Sequence, residues 1–158
     1  MVAKKLFPPV VLITLLLFAC QTAKIPQSPS DVQGATSLDP PVRPESSKSA
    51  MVGQIATISS GGKQPLQGMV VRLATVHWSE DKTEGAFVLD GASAPSAKTV
   101  EDGVFIFTDI EPGDYVIVVG DVMGLHEIIS EPDGAAKIYS TAKGQVLDAG
   151  LLEVSLEG

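Results

Sequence analysis

The chain has 158 residues, a formal charge of −8 and a single cysteine. One cysteine excludes an intramolecular disulfide framework and a cysteine-based zinc cluster. An isoelectric point near 4.6 argues against a nucleic-acid binder, which would carry a basic footprint.

Residues 1–20 read MVAKKLFPPVVLITLLLFAC. Lys4 and Lys5 form a positive start, and Val10 to Phe18 is an apolar run interrupted only by Thr14. That run is well short of the roughly 20 residues that cross a bilayer, and Pro8-Pro9 ends any helix on its N-terminal side. The pattern is that of a secretory signal. It closes on Leu17-Phe18-Ala19-Cys20, which resembles a bacterial lipobox, with Phe18 where a small residue is usual. The resemblance implies a signal peptide over residues 1–19, cleavage before Cys20, and a diacylglycerol thioether on the Cys20 sulfur. Each buried methylene contributes about 0.8 kcal/mol, so two acyl chains anchor a protein stably without a transmembrane helix. Gln21 stands where an Asp would favour inner-membrane retention in a two-membrane bacterium, so the expected site there is the outer membrane. The expected location is the bacterial cell envelope, outside the cytoplasmic membrane, with membrane lipid as the first partner.

Residues 20–50 hold five prolines, many Ser, Thr and Ala, and no aromatic residue. Such a composition buries too little surface to offset its ordering entropy and predicts a disordered tether. Its charges cancel: Lys24, Arg43 and Lys48 against Asp31, Asp39 and Glu45. Residues 51–158 carry six basic and sixteen acidic residues, a net −10, so the acidity belongs to the folded part. An acidic surface keeps a domain soluble and repelled from anionic headgroups.

Within residues 51–158 the pattern predicts short strands and no helix. Val52 to Ile58 alternates and ends in the turn cluster Ser59-Ser60-Gly61-Gly62. Gly68 to Trp78 is rich in β-branched residues and apolar on both faces, which predicts a central strand. A charged loop over residues 79–85 precedes a short strand, Ala86 to Leu89, and a loop around Pro95. Asp102-Gly103 predicts a type I′ hairpin turn before Val104-Phe105-Ile106-Phe107, and Pro112-Gly113 predicts a type II turn before Tyr115 to Val119. Two further strands are expected around Lys137–Tyr139 and Gln145–Leu156. Seven or eight strands with regular turn signals predict an all-β, antiparallel β-sandwich.

The string Pro65-Leu66-Gln67-Gly68-Met69-Val70-Val71-Arg72-Leu73, then Thr99, Asp102-Gly103-Val104-Phe105-Ile106-Phe107 and Ile110-Glu111-Pro112-Gly113-Asp114-Tyr115, resembles a carboxypeptidase regulatory-like domain. Gly53 and the ending Gln145 to Val154 extend the resemblance over residues 51–158. It implies a prealbumin-like (transthyretin-like) sandwich of accessory, non-catalytic role. Tyr115 opens its strand after a turn, as a corner tyrosine does, and is expected to bond back to a loop.

The chemistry-bearing residues are few. His77 and His126 are the only imidazoles, short of the three protein ligands that catalytic zinc needs, so neither metal nor cofactor is expected. The acids at Glu80–Glu84 and Asp109–Asp114 lack the spacing of a calcium loop. A Lys–Asn isopeptide bond is impossible without asparagine, which leaves a Lys–Asp version at Lys63 or Lys98 as the remaining form. Trp78 with neighbouring His77 is the one candidate stacking site for a sugar ring. The expected function is a non-catalytic envelope lipoprotein serving binding, adhesion or assembly, with an envelope protein or polysaccharide as partner. The alternative is a carbohydrate-binding module displayed on the envelope, for which exposure of Trp78 beside polar groups is the discriminating observation.

Overall fold

The computed structural model describes residues 41–59 and 61–156. Leu17, Ala19 and Cys20 lie outside them, as does the tether up to residue 40. The described residues form ten strands and no helix. In chain order these are β1 (Ser49–Ser59), β2 (Gly62–Pro65), β3 (Val70–Trp78), β4 (Gly85–Val88) and β5 (Ser96–Lys98). They continue with β6 (Val104–Ile110), β7 (Asp114–Gly120), β8 (His126–Ile128), β9 (Ile138–Ser140) and β10 (Val146–Val154).

The ten strands occupy seven positions in two sheets. In the first sheet β1 lies between β10 on one side and β2 and β6, end to end, on the other. In the second, β3 and β7 are central; β4 and β5 run end to end along β3, and β8 and β9 along β7. All pairs are antiparallel except β1 with β10. That exception has a short cause. The connection 141–145 crosses from β9 to the foot of β1, where Ala50 N–H donates to Gln145 O at 2.9 Å, so β10 starts beside the start of β1. Midway along this pair Gly53 faces both Ala149 and Gly150, a bulge in which Gly150 takes φ 74°.

The core follows from the two-residue period of the strands. Tyr115, Ile117 and Val119 of β7 point inward, with Val71 and Leu73 of β3, Met51 and Ile55 of β1, and Phe105 and Phe107 of β6. Each such side chain contributes roughly 1.5–3 kcal/mol by leaving water. Phe105 and Phe107 meet edge to face at 5.7 Å between centroids. Gly53, paired opposite Phe105, makes room for that ring: a Cβ there would stand 2.6 Å from Cζ. Tyr115 ends as the corner tyrosine expected, its hydroxyl donating to the Glu111 carbonyl at 2.6 Å.

Both expected turns differ in type. Gly103 does take a positive φ of 74°, but Asp102 does not, so the turn is not type I′. Gly103 N–H donates to Val100 O and Val100 N–H to Val104 O, a three-residue loop ending in a left-handed glycine. The reason is topological: β5 belongs to the second sheet and β6 to the first, so this loop steps between sheets and closes no two-stranded hairpin. Gly113 is absent from the positive-φ residues, so the Pro112-Gly113 turn is not type II. Thr141 holds Gly113 instead, its N–H donating to Gly113 O at 2.8 Å while Gly113 N–H donates to Thr141 Oγ1 at 3.1 Å. Asp109, φ 54°, takes up the left-handed geometry just upstream, and its Oδ1 accepts the Glu45 N–H at 2.8 Å.

β1 begins at Ser49, and Ser49 and Ala50 are fully buried. The strand therefore takes in the last two residues that composition assigns to the tether. Before them, Lys48 pairs with Glu111, fastening the entering chain to the turn between β6 and β7.

Candidate functional site

The outer face of the second sheet is the unusual surface. Ala74 of β3 and Val116 and Val118 of β7 point away from the core yet are buried. Three connections cover them: residues 89–95 between β4 and β5, 121–125 between β7 and β8, and 129–137 between β8 and β9. They contribute Leu89, Val122 and Ala136 in turn, and an isolated bridge from Ser130 to Ala136 shapes the last. This second apolar layer is why the β3 segment reads as hydrophobic on both faces.

The cover stops short of the ends of β3 and β4. There a hollow of about 310 Å³ opens, lined by Val76 and Trp78 of β3, Gly85 and Phe87 of β4, Val116 of β7, and Ala135, Ala136 and Ile138. Trp78 is 39 % exposed, Phe87 41 % and Ile138 41 %, so three large apolar side chains face water together. Their meeting is set by register: Val76 pairs with Phe87, Trp78 with Gly85, and Val116 with Ile138. Gly85 leaves the space that the indole occupies, since a Cβ there would lie 3.0 Å from two of its ring carbons.

The indole is fixed in place. Its Nε1–H donates to Asp114 Oδ2 at 2.7 Å, across from β3 to the first residue of β7. The hydroxyl of Ser140, paired with Asp114 in the β7–β9 register, bonds the same carboxylate. Ser140 first, then Trp78, holds the Asp114 carboxyl below the usual carboxylate range. A carboxylate has about four lone-pair sites, so two accepted bonds leave capacity for a ligand. The arrangement is an aromatic shelf with an ionised acceptor bonded to the edge of its indole.

His77 does not join this hollow. It follows the two-residue alternation onto the opposite face of β3 from Trp78, where it is exposed. His126 pairs with Gly120 at the far end of β7, roughly 20 Å along the strand from the Trp78 end. The two imidazoles therefore share no cleft. Among the described residues no group of three or more His, Cys, Asp or Glu side chains could hold a metal ion. Asp81 accepts from Ser79 Oγ at 2.6 Å and Thr83 Oγ1 at 2.8 Å within its own loop, and Lys63 pairs with Glu153.

A larger opening of about 530 Å³ lies between edge strand β10 and the β8–β9 edge, where Glu127, Lys137, Tyr139, Leu151 and Glu153 meet. Its polar groups are mostly spent within the protein. Glu127 Oε2 accepts the Ser155 N–H at 2.6 Å, Glu153 is paired with Lys63, and Lys137 Nζ stands 5.5 Å from the centre of the Tyr139 ring. The smaller hollow is the better seat, because aromatic surface and an available acceptor converge there.

Sequence reasoning reached Trp78 but not its partners. Phe87 lies in a four-residue strand and Asp114 in what reads as a turn, so neither carries a local signal.

No family model and no curated protein sequence matches the chain. Among solved structures, a candidate carbohydrate-binding protein from Pseudomonas aeruginosa is similar over 71% of this chain and 92% of its own, at 16% identity and a TM-score of 0.45. The minor pilin of Streptococcus agalactiae is similar over 71% of this chain and 47% of the pilin, at 15% identity and a TM-score of 0.39. The major pilin subunit of Bacillus cereus is similar over 68% of this chain and 31% of the pilin, at 16% identity and a TM-score of 0.31.

Proposed function

We propose that this protein is a non-catalytic envelope lipoprotein, cleaved before Cys20 and anchored by acyl chains on that sulfur. Its β-sandwich binds carbohydrate in the hollow at Trp78 and Phe87. The carrying observation is the indole itself: half-exposed at the mouth of an apolar hollow, yet locked by its bond to Asp114. A sugar ring presents an apolar C–H face and a rim of hydroxyls. An aromatic plane with a carboxylate beside it answers both. Locking the indole in advance lowers the ordering cost of binding. The separation of His77 from His126 supports the non-catalytic reading.

Trp78 is the only tryptophan, so its fluorescence reports on this site alone. Titration with a panel of soluble glycans should shift that emission saturably for at least one of them. Phe87→Ala should weaken that glycan about tenfold or more without lowering thermal stability by more than a few degrees. A panel with no saturable response, or unchanged affinity in Phe87→Ala, would refute carbohydrate binding at this site.

A further inference from the structure

We infer that the hollow prefers glycans bearing free amino groups, that is, amino-sugar chains in their unacetylated form; this rests on the carbohydrate reading above. Three observations on different groups carry it. First, Asp114, bonded to the Trp78 indole that lines the hollow, has two neutral partners among the described residues, the indole N–H and the Ser140 hydroxyl, and is in neither of the ion pairs there. A carboxylate with spare lone pairs and no cation in contact gains from an incoming ammonium. Second, Trp78 and Phe87 line the hollow at that end, and indole and phenyl faces attract a cation through their quadrupoles.

Third, the charges around the hollow are lopsided. The loop after β3 brings Glu80, Asp81 and Glu84 against the single Lys82, whose charge reaches Asp114 through space. The segment before β7 adds Asp109 and Glu111, of which Glu111 is matched by Lys48. With a net −10 over residues 51–158, a uronic-acid or phosphate-bearing glycan is repelled and a polycationic one attracted. An acidic surface alone would serve only solubility. Here a carboxylate in no close ion pair holds the indole that lines the hollow, beside the place where a sugar amine would arrive.

The test is a Trp78 fluorescence titration with glucosamine oligomers, the fully N-acetylated oligomers of equal length, and oligogalacturonate. The expected result is at least tenfold tighter binding of the glucosamine oligomer than of its acetylated counterpart, a margin that shrinks severalfold at high salt. Oligogalacturonate should bind weakest. Asp114→Asn keeps an acceptor for the indole N–H, and should lower affinity for the glucosamine oligomer about tenfold. Glu101→Gln removes one charge from the loop at the opposite end of the sandwich, and should leave the preference intact.

Equal binding of the two oligomers, or a preference that survives in Asp114→Asn, overturns the amine inference while the carbohydrate reading stands. A preference lost equally in Glu101→Gln overturns it too, by making bulk charge the cause. No saturable response to any oligosaccharide brings down the carbohydrate reading itself. Tighter binding of a lysine-rich peptide than of the glucosamine oligomer overturns the amine-glycan assignment in favour of a protein partner.

Discussion

Tyr115 and Tyr139 lie in one core, 5% and 6% exposed, and end in opposite hydrogen-bonding situations. The Tyr115 hydroxyl has the Glu111 carbonyl; the Tyr139 hydroxyl is buried with no partner. Burial, with a smaller push from Glu131, raises Tyr139 to about 12, against about 10 for the unfolded chain. The sign of the consequence follows. A group whose folded pKa is raised stabilises the fold below its unfolded value and ceases to do so as pH climbs through the folded one. Stability should therefore fall between about pH 10 and pH 12, and Tyr139→Phe should flatten that fall. At neutral pH the same variant should be unchanged or more stable by up to about 1 kcal/mol, since an orphan hydroxyl costs desolvation and returns nothing. Urea unfolding at pH 7 and pH 11 checks both. A loss greater than about 1 kcal/mol at pH 7 would mean that the hydroxyl has a partner in solution.

At the scale of elements, the loops decide which strand joins which sheet. The 100–103 loop passes the chain from the second sheet to the first, and its last residue sits against the opposite strand. Gly103 O accepts the Ile55 N–H at 2.8 Å, and a Cβ on Gly103 would lie 2.3 Å from Ile55 O. Gly103→Ala thus meets both a backbone clash and a left-handed φ of 74°, a strain of about 1–3 kcal/mol before the clash is counted. The expected loss is more than 2 kcal/mol, where ~2 is the middle of that range. It should appear as a lower urea midpoint with unchanged slope; an Ala variant within about 0.5 kcal/mol of wild type would show that β1 and this loop do not meet as described. The same loop shows how far local sequence reaches. Asp-Gly marks a turn because glycine accepts positive φ freely. The turn's type depends on where its two arms go, and that is settled by pairing with β3 and β1, about thirty and fifty residues upstream.

For the whole molecule, the proposed anchor and the charge would act together. A domain of net −10 is repelled by anionic headgroups, so it would stand away from a membrane to which a lipid on Cys20 fastened it. Growth with a clickable fatty acid should label the wild-type chain and leave Cys20→Ser unlabelled. The serine variant should also leave the membrane fraction. A wild-type chain that takes up no label would end the lipoprotein reading.

The sequence by itself determined the all-β class and the positions of the main strands, because strand alternation and turn chemistry are local properties; it left open which face of β3 and β7 meets the core, since both faces are apolar. It also determined that Trp78 is the residue to watch, as the one tryptophan at a strand end. Only the tertiary structure decided the parallel β1–β10 pair, the bulge at Gly150, the excursions that cover Ala74 and Val116, and the hollow where that cover ends. Trp78 meets Asp114 across 36 residues and lines one hollow with Phe87 across a charged loop. Such contacts arise from strand register and sheet order. Register is a sum of many pairings along two chains, and no short stretch of sequence carries it.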